Sequence, residues 1–381
     1  MSVPFERATG FGVAAVEPTP RLSVIDRFLP LWIVAAMALG VGLGRAFPGI
    51  GDALDRVTVA GVSLPIAAGL LWMMYPVLAK VRYESLGRFR AQGRLFAASI
   101  VFNWVLGPVV MSALAWAFLP DQPAYRNGLI LIGLARCIAM VLIWNMLARG
   151  DGDTAAVLVA LNSVFQIVMY SLLGWLFLTV VPGWFGAERT ALDVSVWEIA
   201  RSVLIFLGIP LAAGALTRLT LVPRRGADWY DNVLMPRLGP TALLGLLYTI
   251  VLMFSLQGDR IVELPLDVLR IALPLLIYFG VMFFLAFVIS KRLGFGYPET
   301  AALSFTAAGN NFELAIAVSI GVFGITSGEA LAGVVGPLIE VPALIALVYV
   351  SLWLRRRLFP EDAASGVPIV LPTGTTGQRL T

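Results

Sequence analysis

Histidine is missing from this chain of 381 residues, and cysteine occurs once, at Cys137. The first absence excludes imidazole metal sites, Ser-His-Asp and Cys-His catalysis, and histidine proton relays. Protonation chemistry near neutral pH is left to a buried carboxylate or to the thiol. A single cysteine cannot form an intramolecular disulfide. Charge is scarce as well: 13% of residues are Asp, Glu, Lys or Arg, against roughly a quarter in soluble domains. No GxxxxGK[ST] segment is present, so the chain has no phosphate-cradling loop of that type. Its basic residues lie between apolar runs rather than in a patch with interleaved aromatics, which speaks against nucleic-acid binding. No cofactor is expected.

What the chain has in abundance is apolar sequence. Hydrophobic residues make up 59%, and the mean hydropathy is +0.89. No water-soluble fold of this size hides so much apolar surface, so the expected solvent is lipid. About ten runs reach the roughly 20 apolar residues that a spanning helix needs. They lie near 28–47, 62–80, 95–119, 126–148, 155–181, 197–217, 239–257, 265–290, 300–325 and 330–354. Residues 1–27 are polar, contain Pro18 and Pro20, and lack the pattern of a signal peptide. They read as a cytoplasmic tail, and 358–381 as a disordered cytoplasmic one. With the N-terminus inside, 19 of the 27 basic residues fall in cytoplasmic segments. That bias predicts an even number of spans with both termini in the cytoplasm.

The two halves of the chain resemble each other. GDGDTAAVLVALNSVFQIVMY and SGEALAGVVGPLIEVPALIALVY follow runs four and nine, about 175 residues apart. A repeat of five spans must insert its second copy upside down, as in many secondary transporters. The fold expected is therefore an all-α polytopic membrane protein built from two inverted five-helix repeats, 28–181 and 182–357.

Of the 23 carboxylates, two lie deep in apolar runs: Glu313 in GNNFELAIAV and Glu340 in GPLIEVPALI. Ionisable groups at that depth are costly and mark function by default, although a structural acid bonding neighbouring helices fits the same letters. Gly309, Asn310 and Asn311 just before Glu313 are poor helix formers and predict an interruption whose freed backbone groups line a cavity. At an offset of 176, Cys137 falls on Glu313, with Arg136 beside it. Buried lone cysteines are usually inert; a neighbouring cation and a second expected helix break, with Asn145 two turns on, raise the standing of this one. Gln166 stands opposite Glu340 at an offset of 174. A Cys, an Arg and a Glu at a repeat crossover suit a soft, thiophilic solute. Arg136 needs a partner, for which Glu340, Glu313 or broken-helix carbonyls are the expected groups.

Three long stretches resemble the arsenite-efflux permeases of the bile-acid/arsenite/riboflavin transporter superfamily: RCIAMVLIWNMLARGD, YPETAALSFTAAGNNFELAIAVSIGVFG and SGEALAGVVGPLIEVPALIALVYVSLWLRRR. DRFLPLWIVAAMALGVGLGR near the start is similar too, and the resemblance covers most of 22–357. It implies ten spans, a panel and a core domain, runs four and nine broken and crossing in the core, and essential roles for Cys137 and Glu313. On that footing the expected activity is export of arsenite across the inner membrane, giving arsenical resistance. Cys137 would ligate As(III), Asn310, Asn311 and Arg136 would help bind it, and Glu313 with Glu340 would couple it to protons. Antimonite shares the thiol chemistry. Two rivals are a sodium-coupled symporter of an organic anion on the same fold, with Asn310, Asn311 and Glu313 as oxygen ligands, and an intramembrane enzyme using Cys137 with a carboxylate base.

Overall fold

A computed structural model describes residues 28–47, 49–50, 58–59, 62–82, 93–138, 140–184, 195–263 and 265–360. The expected tail 1–27 and residues 361–381 of the expected tail 358–381 lie outside the described residues. The molecule is helical apart from a two-residue hairpin, β1 (Thr58–Val59) paired antiparallel with β2 (Val62–Ser63). Its helices are α1 (Leu29–Ala46), α2 (Leu64–Ala79), α3 (Gly93–Phe118), α4 (Pro123–Leu134), α5 (Met140–Leu147) and α6 (Gly152–Trp184). They continue with α7 (Val196–Arg225), α8 (Ala227–Leu256), α9 (Pro265–Arg292), α10 (Tyr297–Ala308), α11 (Phe312–Phe323) and α12 (Gly328–Leu358).

Six of these, α3, α6, α7, α8, α9 and α12, are long and apolar enough to cross a membrane. Their outward faces carry large apolar side chains such as Trp197, Leu219, Leu266 and Tyr349. That surface suits lipid and would be unusual in water.

Packing sorts the helices into two groups. In the first, α8 lies along α1 and α2, and α2 also packs on the later turns of α7. Small residues make the α1–α8 seam: Gly40 and Gly44 bring α1 against the backbone of Val251 and Ser255. Lipid supplies no hydrophobic drive between helices, so close approach over small residues is what holds such a seam. At one end of this group Asp231 accepts from Arg82 and from the buried Arg218, both at 3.0 Å. The second group holds α3, α4, α5, α6, α9, α10, α11 and α12, with α4, α9 and α11 all packed on α12. The helix α7 belongs to both. Its first turns, Val196–Val203, pack on α6 and α11, and its last, Ile209–Arg225, on α2.

Inside the second group, two apolar runs are interrupted. The run expected over 126–148 divides into α4 and α5, and the run over 300–325 divides into α10 and α11. The reason is local. Gly309 and Asn310 favour leaving the helix, and Asn311 starts the next one by accepting the Leu314 N–H at 3.0 Å. No such letters mark the first break, at Ala135–Ile138; its partner strand holds it open.

Candidate functional site

The two breaks lie against each other as a short antiparallel ladder, with Arg136 bridged to Asn310. Cys137 N–H donates to Gly309 O at 3.4 Å, and Asn311 N–H donates to Ala135 O at 3.1 Å. Each break also draws on the long helix that follows it. Gln166 Oε1 of α6 accepts the Arg136 N–H at 2.9 Å. Glu340 Oε1 of α12 accepts the Asn310 N–H at 3.1 Å. These bonds obey one offset of 174 residues: 135 to 309, 136 to 310, 137 to 311 and 166 to 340. The register that sets Cys137 on Glu313 at 176 is therefore corrected by two residues. Cys137 is the counterpart of Asn311, and Arg136 of Asn310. Backbone pairing, which leaves no mark in composition, decides this.

Side chains complete the crossing. Asn310 Nδ2 donates to Ile132 O at 2.9 Å and Ala135 O at 3.1 Å, closing the carbonyl end of α4. Asn310 Oδ1 and Asn311 Nδ2 are buried and make no protein hydrogen bond among the described residues. An acceptor and a donor at the crossing are thus left unmet by protein among the described residues, near the ends of half-helices.

A cavity of about 30 Å³ opens at this point, room for about two water-sized molecules. Cys137 with Ile138 and Met140 lines it from the first break, and Asn310, Asn311 and Glu313 from the second. Pro337, Glu340 and Val341 line it from α12, and Leu246 of α8 closes it from the other group of helices. Glu313 stands in the first turn of α11, and its half-buried side chain opens on this space. Five of the residues expected at the site, Cys137, Glu313, Asn310, Asn311 and Glu340, therefore share one cavity.

Arg136 does not share it. Its side chain, 0% exposed, points the other way, between α3 and α9. Nη1 donates to the Tyr278 hydroxyl at 3.0 Å, and Nε and Nη2 make no hydrogen bond among the described residues. The guanidinium fits only because residue 107 is glycine; a Cβ there would stand 2.6 Å from Nη1. The expected partners, Glu313, Glu340 and broken-helix carbonyls, are replaced by one tyrosine hydroxyl. Adjacent residues of an extended segment point to opposite sides, so Cys137 faces the cavity and Arg136 faces away. Tyr278 is a site-supporting residue that nothing in the sequence signals; it is one aromatic among many in α9. Asn145 also lies elsewhere, its Nδ2 holding Asp151 O at 3.0 Å in the turn before α6.

Two interrupted helices meeting end to end inside a bundle, with a small cavity that holds a thiol, two amides and two carboxyls between that bundle and a second one, define a multi-pass membrane transporter. The chain belongs to the family described as the Sodium Bile acid symporter family, whose model matches residues 67–264. It is 55% identical to the arsenical-resistance protein Acr3 of Corynebacterium glutamicum over 342 residues, 90% of this chain and 92% of that one. It is 33% identical to the Acr3 arsenical-resistance protein of Alkaliphilus metalliredigens over 353 residues, 90% of this chain and 96% of that one. An uncharacterized transporter of Synechocystis sp. is 33% identical over 373 residues.

Proposed function

We propose that this transporter exports trivalent arsenic as arsenite, by exchange for protons, and so confers arsenical resistance. The observation that carries the reading is the meeting of the chain's one thiol, Cys137, with the Glu313 carboxylate in one cavity. The names of the two Acr3 relatives supply the element.

Neutral arsenite is a small trihydroxide with a soft, electrophilic centre. The Cys137 sulfur displaces one hydroxide from arsenic; the thiol proton leaves with it as water, and an S–As bond forms. One sulfur gives an attachment that water reverses, where three would trap the metalloid. Asn310 Oδ1 and Asn311 Nδ2, both unsatisfied by protein, offer an acceptor and a donor to the remaining hydroxyls. Glu313 takes a proton from outside as substrate leaves and returns it to the cytoplasm as the next one binds, with Glu340 beside it. Movement of the core group of helices against the panel of α1, α2, α7 and α8 opens the cavity to each side in turn. In this arrangement α4 with α5 and α10 with α11 are single interrupted spans, giving ten in two inverted halves, in the inner membrane with both termini cytoplasmic. Antimonite, with the same thiol chemistry, is a second substrate.

A sodium-coupled symporter of an organic anion has the family's printed name in its favour. The cavity, at about 30 Å³, is an order of magnitude below the roughly 300–1,000 Å³ of sites for drug-sized molecules. Arsenite uptake into everted membrane vesicles decides between them. Cys137→Ser and Glu313→Gln are each expected to lower proton-driven uptake at least about tenfold, the scale of one lost coupling interaction. Normal uptake in both variants removes the site, and sodium-dependent uptake of an organic anion, indifferent to thiol blocking, establishes the rival.

A further inference from the structure

Glu329 lies outside the cavity yet inside the fold. It is the second residue of α12 and only 4% exposed. Its place at a span end suggests a solvated acid, but α4 closes over it. A Cβ on Gly128 of α4 would stand 3.0 Å from Glu329 Cα and 2.7 Å from Ala332 Cβ, so the two helices touch here. Across this seam Asn127 Nδ2 donates to Glu329 Oε1 at 3.4 Å.

Several charged groups of the surrounding helices are engaged elsewhere. Arg126 of α4 lies 3.8 Å from the Trp116 ring and donates to Pro120 O. On α9, Asp267 accepts from Tyr125 and Arg270 pairs with Asp121. The helix α11 brings Glu313 in its first turn, α1 brings Arg45 in its last, and α5 brings no charge. Tyr297 and Glu299 of α10 lie toward the opposite end, where Tyr297 meets Ser351 and Arg355 of α12. Glu329 is thus a buried acid held by a neutral amide at the end of a span, and buried acids within a transport bundle mark ion and proton routes. Eleven residues on, close to three full turns, Glu340 falls on the same face of α12 about 16 Å away and lines the cavity.

We propose that Glu329 is a second proton-carrying carboxylate, exchanging the coupled proton at the end of the core that bears the Asp121–Arg270 pair. This rests on the proton-antiport reading above. The test is arsenite flux in proteoliposomes holding the full chain, with and without an imposed pH gradient. Glutamine at 329 keeps a carbonyl to accept from Asn127, so a purely structural role predicts an unchanged response. Glu329→Gln is expected to lose acceleration by the proton gradient at least about tenfold. Wild-type acceleration in this variant overturns the proposal. Should the glutamine variant fail to fold, Glu329→Asp is expected to shift the pH midpoint of transport by about half a unit or more, and an unmoved midpoint overturns it. A wild-type protein indifferent to the gradient rejects the antiport reading itself, which separates the two failures.

Discussion

The break after α4 and the break after α10 present the same backbone groups to each other, yet they carry opposite side chains. Around the first, Gln166 receives the Arg136 N–H; around the second, Glu340 receives the Asn310 N–H. At the central position, Asn310 turns back to close α4, while Arg136 reaches away to Tyr278. One position later, Cys137 and Asn311 both face the cavity. The comparison separates scaffold from chemistry. Whatever repeats at 174 residues is hydrogen bonding that keeps two broken helices satisfied inside an apolar bundle. What lines the cavity differs: a sulfur from one side, amides with a carboxyl from the other.

Four substitutions test that division, read as apparent stability in detergent. Asn310→Ala has the largest expected effect. It deletes two bonds to α4 carbonyls and is expected to cost about 2–3 kcal/mol; wild-type stability would mean that Asn310 serves the solute alone. Next come Gln166→Leu and Glu340→Leu. Each strands one buried N–H, of Arg136 or of Asn310, for about 1–2 kcal/mol apiece. Equal costs support a shared scaffold role, and a large inequality breaks the comparison. Smallest is Arg136→Met, expected within about 1 kcal/mol of wild type. The lost tyrosine bond is offset by removal of a buried cation, whose replacement by apolar side chains is often neutral. A strong destabilisation would show that the guanidinium is part of the scaffold after all.

Much of the site was legible in the letters. Glu313 and Glu340 stood out because charge deep in an apolar run is rare and costly. Asn310 and Asn311 stood out because they are poor helix formers in a span. Cys137 drew notice as the lone sulfur beside a buried cation. Three features escaped. The pairing of Cys137 with Glu313 at 176 was two residues off the 174 that relates Gln166 to Glu340, because apolar helices offer many near-equal alignments and the ladder that selects one is made of backbone. The direction of Arg136 was missed because an interrupted segment has no helical periodicity to say which way a side chain points. Glu329 counted as a span-end acid because depth along a helix was readable, while cover by a neighbouring helix was not.

By itself, then, the amino-acid order determined that this chain lives in lipid, roughly where its helices run, where one of them breaks, and which ionisable and polar residues lie at that depth. Those properties depend on local composition, and water-to-lipid transfer acts on each run separately. Only the tertiary structure decided which atoms meet: Cys137 with Glu313, Arg136 with Tyr278, Glu329 with Asn127. Such meetings depend on how segments far apart in the chain rotate against one another, and packing over small residues and backbone pairing between broken ends set that rotation.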